Sequence, residues 1–200
     1  SPSQGRRGAG QDQFIAPEAM SCADGVIAYI GLGSNLGDST ARVQEGMAAL
    51  STIPGVRVQR CSSLYRSAPV GITAQPDFIN AVCQIETTLD PAGLLQQLLE
   101  VERRRGRVRD GAKGGPRTLD LDILLYGERV MNEPSLVLPH PRLHERAFVL
   151  QPLCEIDENL LIPGRGAVCA LLKSCRDQRI ERLSTGARDD RAATTRSSCP

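Results

Sequence analysis

Asp120 and Asp122 stand two residues apart inside an apolar run, in the segment GPRTLDLDILLYG at residues 115 to 127. Side chains alternate between faces along a strand, so this spacing sets both carboxylates side by side on one face. Leu119, Leu121, Ile123 and Leu125 are then expected on the opposite face, in a core. Aspartate is depleted in strands, and like charges on one face repel, so something positive must compensate. Divalent cations would do so and would bring polyphosphate oxygens with them. Magnesium suits a site with few carboxylates, because phosphate oxygens and water complete its octahedron. Two aspartates paired with arginines on a solvated face are the plainer alternative.

The preceding stretch weighs against that alternative. From Glu102 to Arg117 there are seven basic and two acidic side chains, a local balance of +5 in a chain whose net charge is only +1. Arg107, Arg109, Lys113 and Arg117 are interleaved with Gly106, Gly111, Gly114 and Gly115. A loop of this composition can fold over phosphates and open again. Carboxylates that hold cations beside arginines that grip phosphates are the parts of a phosphoryl transfer, where the protein positions groups and neutralises charge. Arg103, Arg104 and Arg105 sit at a helix end and complement its dipole. A whole-surface nucleic-acid binder is disfavoured by the near-neutral chain.

Other signals are weaker. Gly31-Leu32-Gly33-Ser34 lacks the third glycine of a dinucleotide fingerprint and the Lys of a P-loop, and is read as a strand-to-helix turn. His140 lies between two prolines in LPHPRLHERAF, on a rigid backbone that could display its ring. Seven cysteines form no CxxC pair and are read as reduced, mostly buried thiols of a cytoplasmic protein. No apolar run reaches membrane-spanning length.

The elements that would position these groups follow from patterning. Val26 to Leu32 reads as a strand ending at Gly33-Ser34-Asn35. A helix capped by Asp38 or Ser39 runs to about Leu50, with Val43, Met47 and Leu50 on one face. Ile53-Pro54-Gly55 ends it. Strands are expected over 56–65 and 78–87, separated by the Pro/Gly-rich loop RSAPVGITAQPD, a length that is often functional. Asp90-Pro91 opens a second helix, and a strand over 119–126 follows the basic loop. A helix over 142–150 and a short one near 167–173 complete the pattern. This order predicts an α+β fold, a ferredoxin-like βαββαβ core with an antiparallel sheet and additional C-terminal helices. Residues 1–25 read as a disordered leader, 26–183 as a single domain and 184–200 as a disordered tail.

Taken together, AYIGLGSNLGD (28–38), SSLYRSAPVG (62–71), QPDFINAV (75–82), GRVR (106–109), GPRTLDLDILLYG (115–127) and LPHPRLHERAFVLQPL (138–153) resemble the 6-hydroxymethyl-7,8-dihydropterin pyrophosphokinase family of folate biosynthesis. The resemblance covers about residues 26 to 165. It implies transfer of the pyrophosphoryl group of ATP to the pterin hydroxymethyl group, with release of AMP. By position, Asp120 and Asp122 would bridge two Mg2+ ions. Arg107 and Arg117 would hold the transferring phosphates, with Arg117 nearest the chemistry. Arg109, His140 and Arg146 would contact ATP together with Lys113 of the basic loop, and Glu102 would lie near the nucleotide. The pterin would sit between Phe78 and Phe148, read at its edge by Asn80 and by the backbone of Ser67, Ala68 and Val70. Gly114 stands where the family often has tryptophan, and Ala68 where it commonly has proline, so looser loops are expected. The partners implied are the two small-molecule substrates, with no nucleic acid and no membrane, acting on a cytoplasmic monomer.

Two further readings differ in class. A non-catalytic ferredoxin-like module could bind a nucleotide or RNA, although 3% aromatic residues leave few stacking platforms for single strands. A two-metal nuclease would require more carboxylates near the pair than the sequence offers.

Overall fold

The computed structural model describes residues 25–70, 74–105 and 118–184. Arg107, Arg109, Lys113, Gly114 and Arg117 lie outside the described residues, as do the expected leader (except Gly25) and all of the expected tail but Ser184.

In chain order the elements are β1 (Val26–Ser34), α1 (Ser39–Leu50), β2 (Val56–Cys61), β3 (Tyr65–Ser67), β4 (Phe78–Thr87), α2 (Pro91–Arg104), β5 (Asp120–Tyr126), β6 (Met131–Glu133) and β7 (Leu136–Leu138). A 3-10 turn at Leu143–Glu145 follows, then α3 (Ala147–Ile156), β8 (Leu161–Ile162), β9 (Gly166–Ala167), α4 (Val168–Lys173) and β10 (Ile180–Arg182). Six strands form the main sheet in the order β10-β3-β4-β1-β5, with β2 also on β4, and every pairing is antiparallel. Strand pairs β6-β7 and β8-β9 form separate small ribbons.

Helices α1 and α2 begin where their caps dictate. Asp38 accepts from Ala41 N at 3.0 Å, and Asp90 accepts from Gly93 N at 2.9 Å with Pro91 in the first turn. Both helices cover one face of the sheet, where Val43, Leu50, Leu94 and Leu98 pack on Ile30, Ile85, Leu121 and Ile123. The other face is covered by α3 and α4, which bury Leu150, Leu153 and Val168 against Tyr29, Val82, Leu124 and Leu125.

Four local expectations are corrected. Strand β1 continues through Gly33 to Ser34, so the Gly31-Leu32-Gly33-Ser34 segment is strand and not a turn. The strand expected over 56–65 breaks into β2 and β3, because Ser62 turns aside: its Oγ accepts from Val82 N at 3.0 Å, a side-chain bond competing with the ladder. The helix expected over 142–150 is a 3-10 turn followed by α3, which carries Pro152 within it. Leu125 does not share a core with Leu121 and Ile123. The β1–β5 register slips between Tyr29 and Ile30, which pair with Leu125 and Ile123, so Leu124 is the extra residue and Leu125 turns to the second core.

The reduced-thiol expectation is also corrected. Register sets Cys61 opposite Cys83, and the two form a disulfide. A second disulfide, Cys154–Cys169, joins α3 to the first turn of α4, with Cα atoms 5.7 Å apart. Cys175 is a buried free thiol, raised in pKa by burial and then by Asp177 and Glu145. No described helix is long and apolar enough to cross a membrane.

Candidate functional site

Strand β5 lies at one end of the sheet, and its outer edge is held by two groups from elsewhere. Glu102, in the last turn of α2, accepts from Leu121 N at 2.8 Å, and His140 N donates to Leu124 O at 2.9 Å. Backbone groups of an edge that would otherwise need water are thereby satisfied. At the strand's entrance, Ser34 Oγ donates to Thr118 O at 2.6 Å. Asp120 and Asp122, both half-buried, therefore stand on a strand fixed along its length.

Register decides what faces the aspartates. On β1, Gly33 pairs with Asp120 and Gly31 with Asp122, while on the far side of β1 the same glycines pair with Asn80 and Val82 of β4. The two glycines themselves put no side chain between the acids and β4, which leaves a trough bordered by Leu124 over Gly31 and by Asn80 beside Gly33. A Cβ on Gly31 would meet Leu124 Cδ2 at 3.2 Å, and one on Gly33 would meet Asn80 Oδ1 at 3.4 Å.

The trough opens into a cavity of about 530 Å³. Its lining brings together ten of the residues singled out from the sequence: Ser67, Ala68, Val70, Phe78, Asn80, Asp120, Asp122, His140, Arg146 and Phe148. Gly31, Gly33, Gln75, Leu124 and Arg142 are among the further lining residues, none of them foreseen as part of a cavity. Glycine spacing of two inside a β-rich run was the available signal for the trough, since it places both glycines on one face.

Glu102 is apart from this lining. Its residue is 2% exposed, and its carboxylate supports β5 from behind. Phe78 and Ser67 end paired strands β4 and β3, and Asn80 Nδ2 donates to Ser67 Oγ at 2.9 Å. Asn35 Nδ2 donates to Gln75 Oε1 at 3.0 Å and to Pro76 O at 3.3 Å, tying the segment before Phe78 to the end of β1. Across the cavity, the Arg146 guanidinium lies 5.6 Å from the centre of the Phe148 ring, within cation-π range.

His140 directly follows Pro139, whose bond to Leu138 is cis. Its Nδ1 accepts from Arg142 N at 3.3 Å, which leaves Nε2 to carry the proton of the neutral ring. Burial lowers its pKa most, Asp122 acts upward, and Arg146 and Arg142 act downward, with a net fall. A neutral ring at pH 7 is a hydrogen-bond donor through Nε2. Among the described residues, no group of three or more His, Cys, Asp or Glu is arranged to hold a metal ion. The two carboxylates alone offer hard oxygen donors, which suits a cation that takes its remaining ligands from phosphate and water.

Known proteins resemble the chain in sequence and in fold. A family model described as 7,8-dihydro-6-hydroxymethylpterin-pyrophosphokinase (HPPK) matches residues 29–158. A Haemophilus influenzae protein named 2-amino-4-hydroxy-6-hydroxymethyldihydropteridine pyrophosphokinase is 40% identical over 159 residues, covering 80% of this chain and 99% of that one. A Pseudomonas aeruginosa protein of the same name is 43% identical over 155 residues, covering 78% and 95%. Among solved structures, an HPPK-DHPS in complex with substrates superimposes with a TM-score of 0.63 at 12% identity, over 80% of this chain and 47% of that one. Plasmodium falciparum HPPK-DHPS A437G with SDX-DHP gives a TM-score of 0.61 at 13% identity, covering 75% and 45%. At those identities the likeness is one of fold, and this chain spans less than half of either solved chain.

Proposed function

Because the chain belongs to the 7,8-dihydro-6-hydroxymethylpterin-pyrophosphokinase family, we propose that it moves the pyrophosphoryl group of ATP onto 6-hydroxymethyl-7,8-dihydropterin, giving the pterin diphosphate and AMP. The hydroxymethyl oxygen attacks the β-phosphorus and loses its proton. The bond from that phosphorus to the oxygen bridging the α-phosphate breaks, and AMP leaves with the oxygen.

One observation carries the reading: a single cavity sets the face of Asp120 and Asp122 against the walls that bear Phe78, Asn80 and Phe148. A flat heterocycle fits between two aromatic rings. Asn80 spends one of its two Nδ2 donors on Ser67 Oγ, and its Oδ1 would accept from the amino edge of a pterin. His140 Nε2–H and Arg146 face the same cavity and would bind phosphate oxygens.

Asp120 and Asp122 would hold two Mg2+ ions, which when bound neutralise the charge of the triphosphate and of its transition state. Glu102 would act on the nucleotide side indirectly, by fixing the backbone of Leu121 between the two acids. Arg107, Arg109, Lys113 and Arg117 would supply the remaining phosphate contacts, with Arg107 and Arg117 on the transferring group. The strand order supports a ferredoxin-like βαββαβ core, and residues 26–183 would act as one domain and as a monomer.

Family membership disfavours the non-catalytic nucleotide- or RNA-binding module. Incubation with ATP, Mg2+ and the hydroxymethyl dihydropterin decides between them: equimolar AMP and pterin diphosphate are expected. Ligand binding with no AMP release would favour the module and overturn the proposal.

A further inference from the structure

Helix α3 places two cavity residues at its start, Arg146 just before the first turn and Phe148 within it. A helix opens with backbone N–H groups that lack an intrahelical acceptor, and an N-cap side chain usually supplies one. Arg146 occupies the N-cap position of α3 and makes no cap bond. A guanidinium has only donors and could not make one.

The acceptor arrives from the C-terminal part of the chain, beyond the residues that the family model matches. Gln178 Oε1 accepts from Ala147 N at 2.9 Å, and its Nε2 donates to Glu145 O at 2.7 Å. One side chain thus closes both backbone groups flanking Arg146. Ala147 lies directly between Arg146 and Phe148, so the bond is made at the joint that aims both.

Gln178 is itself anchored on both sides. Its N–H donates to Cys175 O at 3.1 Å, and the buried Cys175 thiol points to His144 O at 3.8 Å. Four residues on, Arg182 in β10 donates from Nε to Ser63 Oγ at 2.8 Å and from Nη2 to Glu155 Oε1 at 3.2 Å. A second space of about 160 Å³ is lined by Ala68, Pro69, Ala147, Phe148 and Gln178 among others. Gln178 and Phe148 thus border one gap, beside the backbone bond that joins Gln178 to Ala147.

We propose that Gln178 is a positioning residue for the site, holding Phe148 at the pterin slot and Arg146 on the phosphate side by capping α3 from downstream. The inference rests on the pyrophosphokinase reading above. Its test compares wild type with Gln178→Ala, Gln178→Met and Gln178→Glu. Met fills the same space without either bond. Glu keeps the acceptor for Ala147, favoured at a helix N-terminus, and loses the donor to Glu145.

Two readouts are needed: amide hydrogen exchange at Ala147, and pterin affinity by calorimetry alongside the steady-state KM and kcat. In Gln178→Ala and Gln178→Met, exchange at Ala147 should quicken and pterin Kd and KM should rise about tenfold, with a smaller change in kcat, as for loss of placement. Gln178→Glu should restore protection at Ala147 and most of the affinity. Quickened exchange with unchanged pterin Kd and KM would make the cap purely structural and overturn the proposal, as would unchanged exchange. Should Gln178→Ala fail to fold, the space-filling Met variant decides by the same criteria. Absence of AMP from the wild type would instead reject the function, while exchange and calorimetry would still judge Gln178.

Discussion

Asp120 and Asp122 carry like charges on one strand face, so in the absence of cations each raises the cost of the other. Asp122→Asn keeps the shape and removes one charge. In chelator, this variant should melt no lower than wild type and up to a few degrees higher, since relief of up to about 1 kcal/mol is worth about 2–4 °C in a domain of this size. Stabilisation by Mg2+ with ATP should largely disappear, and kcat should fall at least about 100-fold, the scale of removing preorganised charge stabilisation. Thermal melts with and without Mg2+, beside an AMP assay, check both halves, and near-normal turnover would remove Asp122 from the metal role. Glu155 makes a second residue-level case. It accepts from Ser63 N (3.1 Å), Ser63 Oγ (2.8 Å), Tyr65 Oη (2.8 Å) and Arg182 Nη2 (3.2 Å). Burial acts to raise its pKa, and the bonds from Ser63 and Tyr65, aided by Arg182, outweigh burial and leave it lowered. Tyr65 is pushed up from 10.0 to about 12, first by burial and then by its bond to Glu155. A depressed carboxyl stabilises the fold above its unfolded pKa and loses that contribution as pH falls through the folded value. A raised phenol stabilises below its unfolded pKa of 10.0 and loses the contribution as pH rises towards about 12. Tyr65→Phe should therefore cost about 1–2 kcal/mol near neutral pH, with the difference from wild type shrinking above pH 10. Denaturant melts across pH 4 to 11 would show it, and a pH-independent difference would contradict the assigned pair.

At the level of elements, much was legible in the sequence because local chemistry settled it. Asp38 and Asp90 cap the helices they were expected to cap, and the alternation that set Asp120 and Asp122 on one face survives as far as Ile123. Where reading failed, long-range bonds decided. Ser62 breaks a strand because Val82 is its partner, and Leu125 changes face because β1 is in a shifted register. Neither partner is local in sequence. Gln178 was invisible for the same reason, as its acceptor role depends on α3 being 31 residues upstream. The glycines of β1 were misread as a turn, although spacing by two already implied a shared face. Their role at the trough predicts that Gly33→Val, directly opposite Asp120, fills the space beside Asn80. A β-branched residue suits a strand, so the fold should hold within about 1 kcal/mol while KM for the pterin and for ATP rises about tenfold or more. Melting curves and steady-state kinetics test this, and unchanged kinetics would mean that substrates do not use the trough.

On the scale of the whole molecule, one sheet serves two cores, and each core supports a different part of the site. Leu98 on α2 and Leu153 on α3 are both fully buried, the first under the face of Ile30, Leu121 and Ile123, the second under that of Tyr29, Val82 and Leu124. Adjacent residues of β1, Tyr29 and Ile30, enter opposite cores, so neither layer can loosen without exposing the other's strands. Leu98→Ala and Leu153→Ala should each cost about 2–5 kcal/mol and melt in a single transition. Their kinetics should then separate at a temperature where both remain folded. Leu153 lies five residues beyond Phe148 on the same helix, so its loss should raise KM for the pterin. Leu98 lies one turn before Glu102, which holds Leu121 between the two aspartates, so its loss should weaken the Mg2+ dependence instead. Titrations of rate against pterin and against Mg2+ for the two variants distinguish the effects. Equal changes in both parameters for both variants would mean that the layers transmit strain through the sheet as one body, and that the division of labour between its faces is not real.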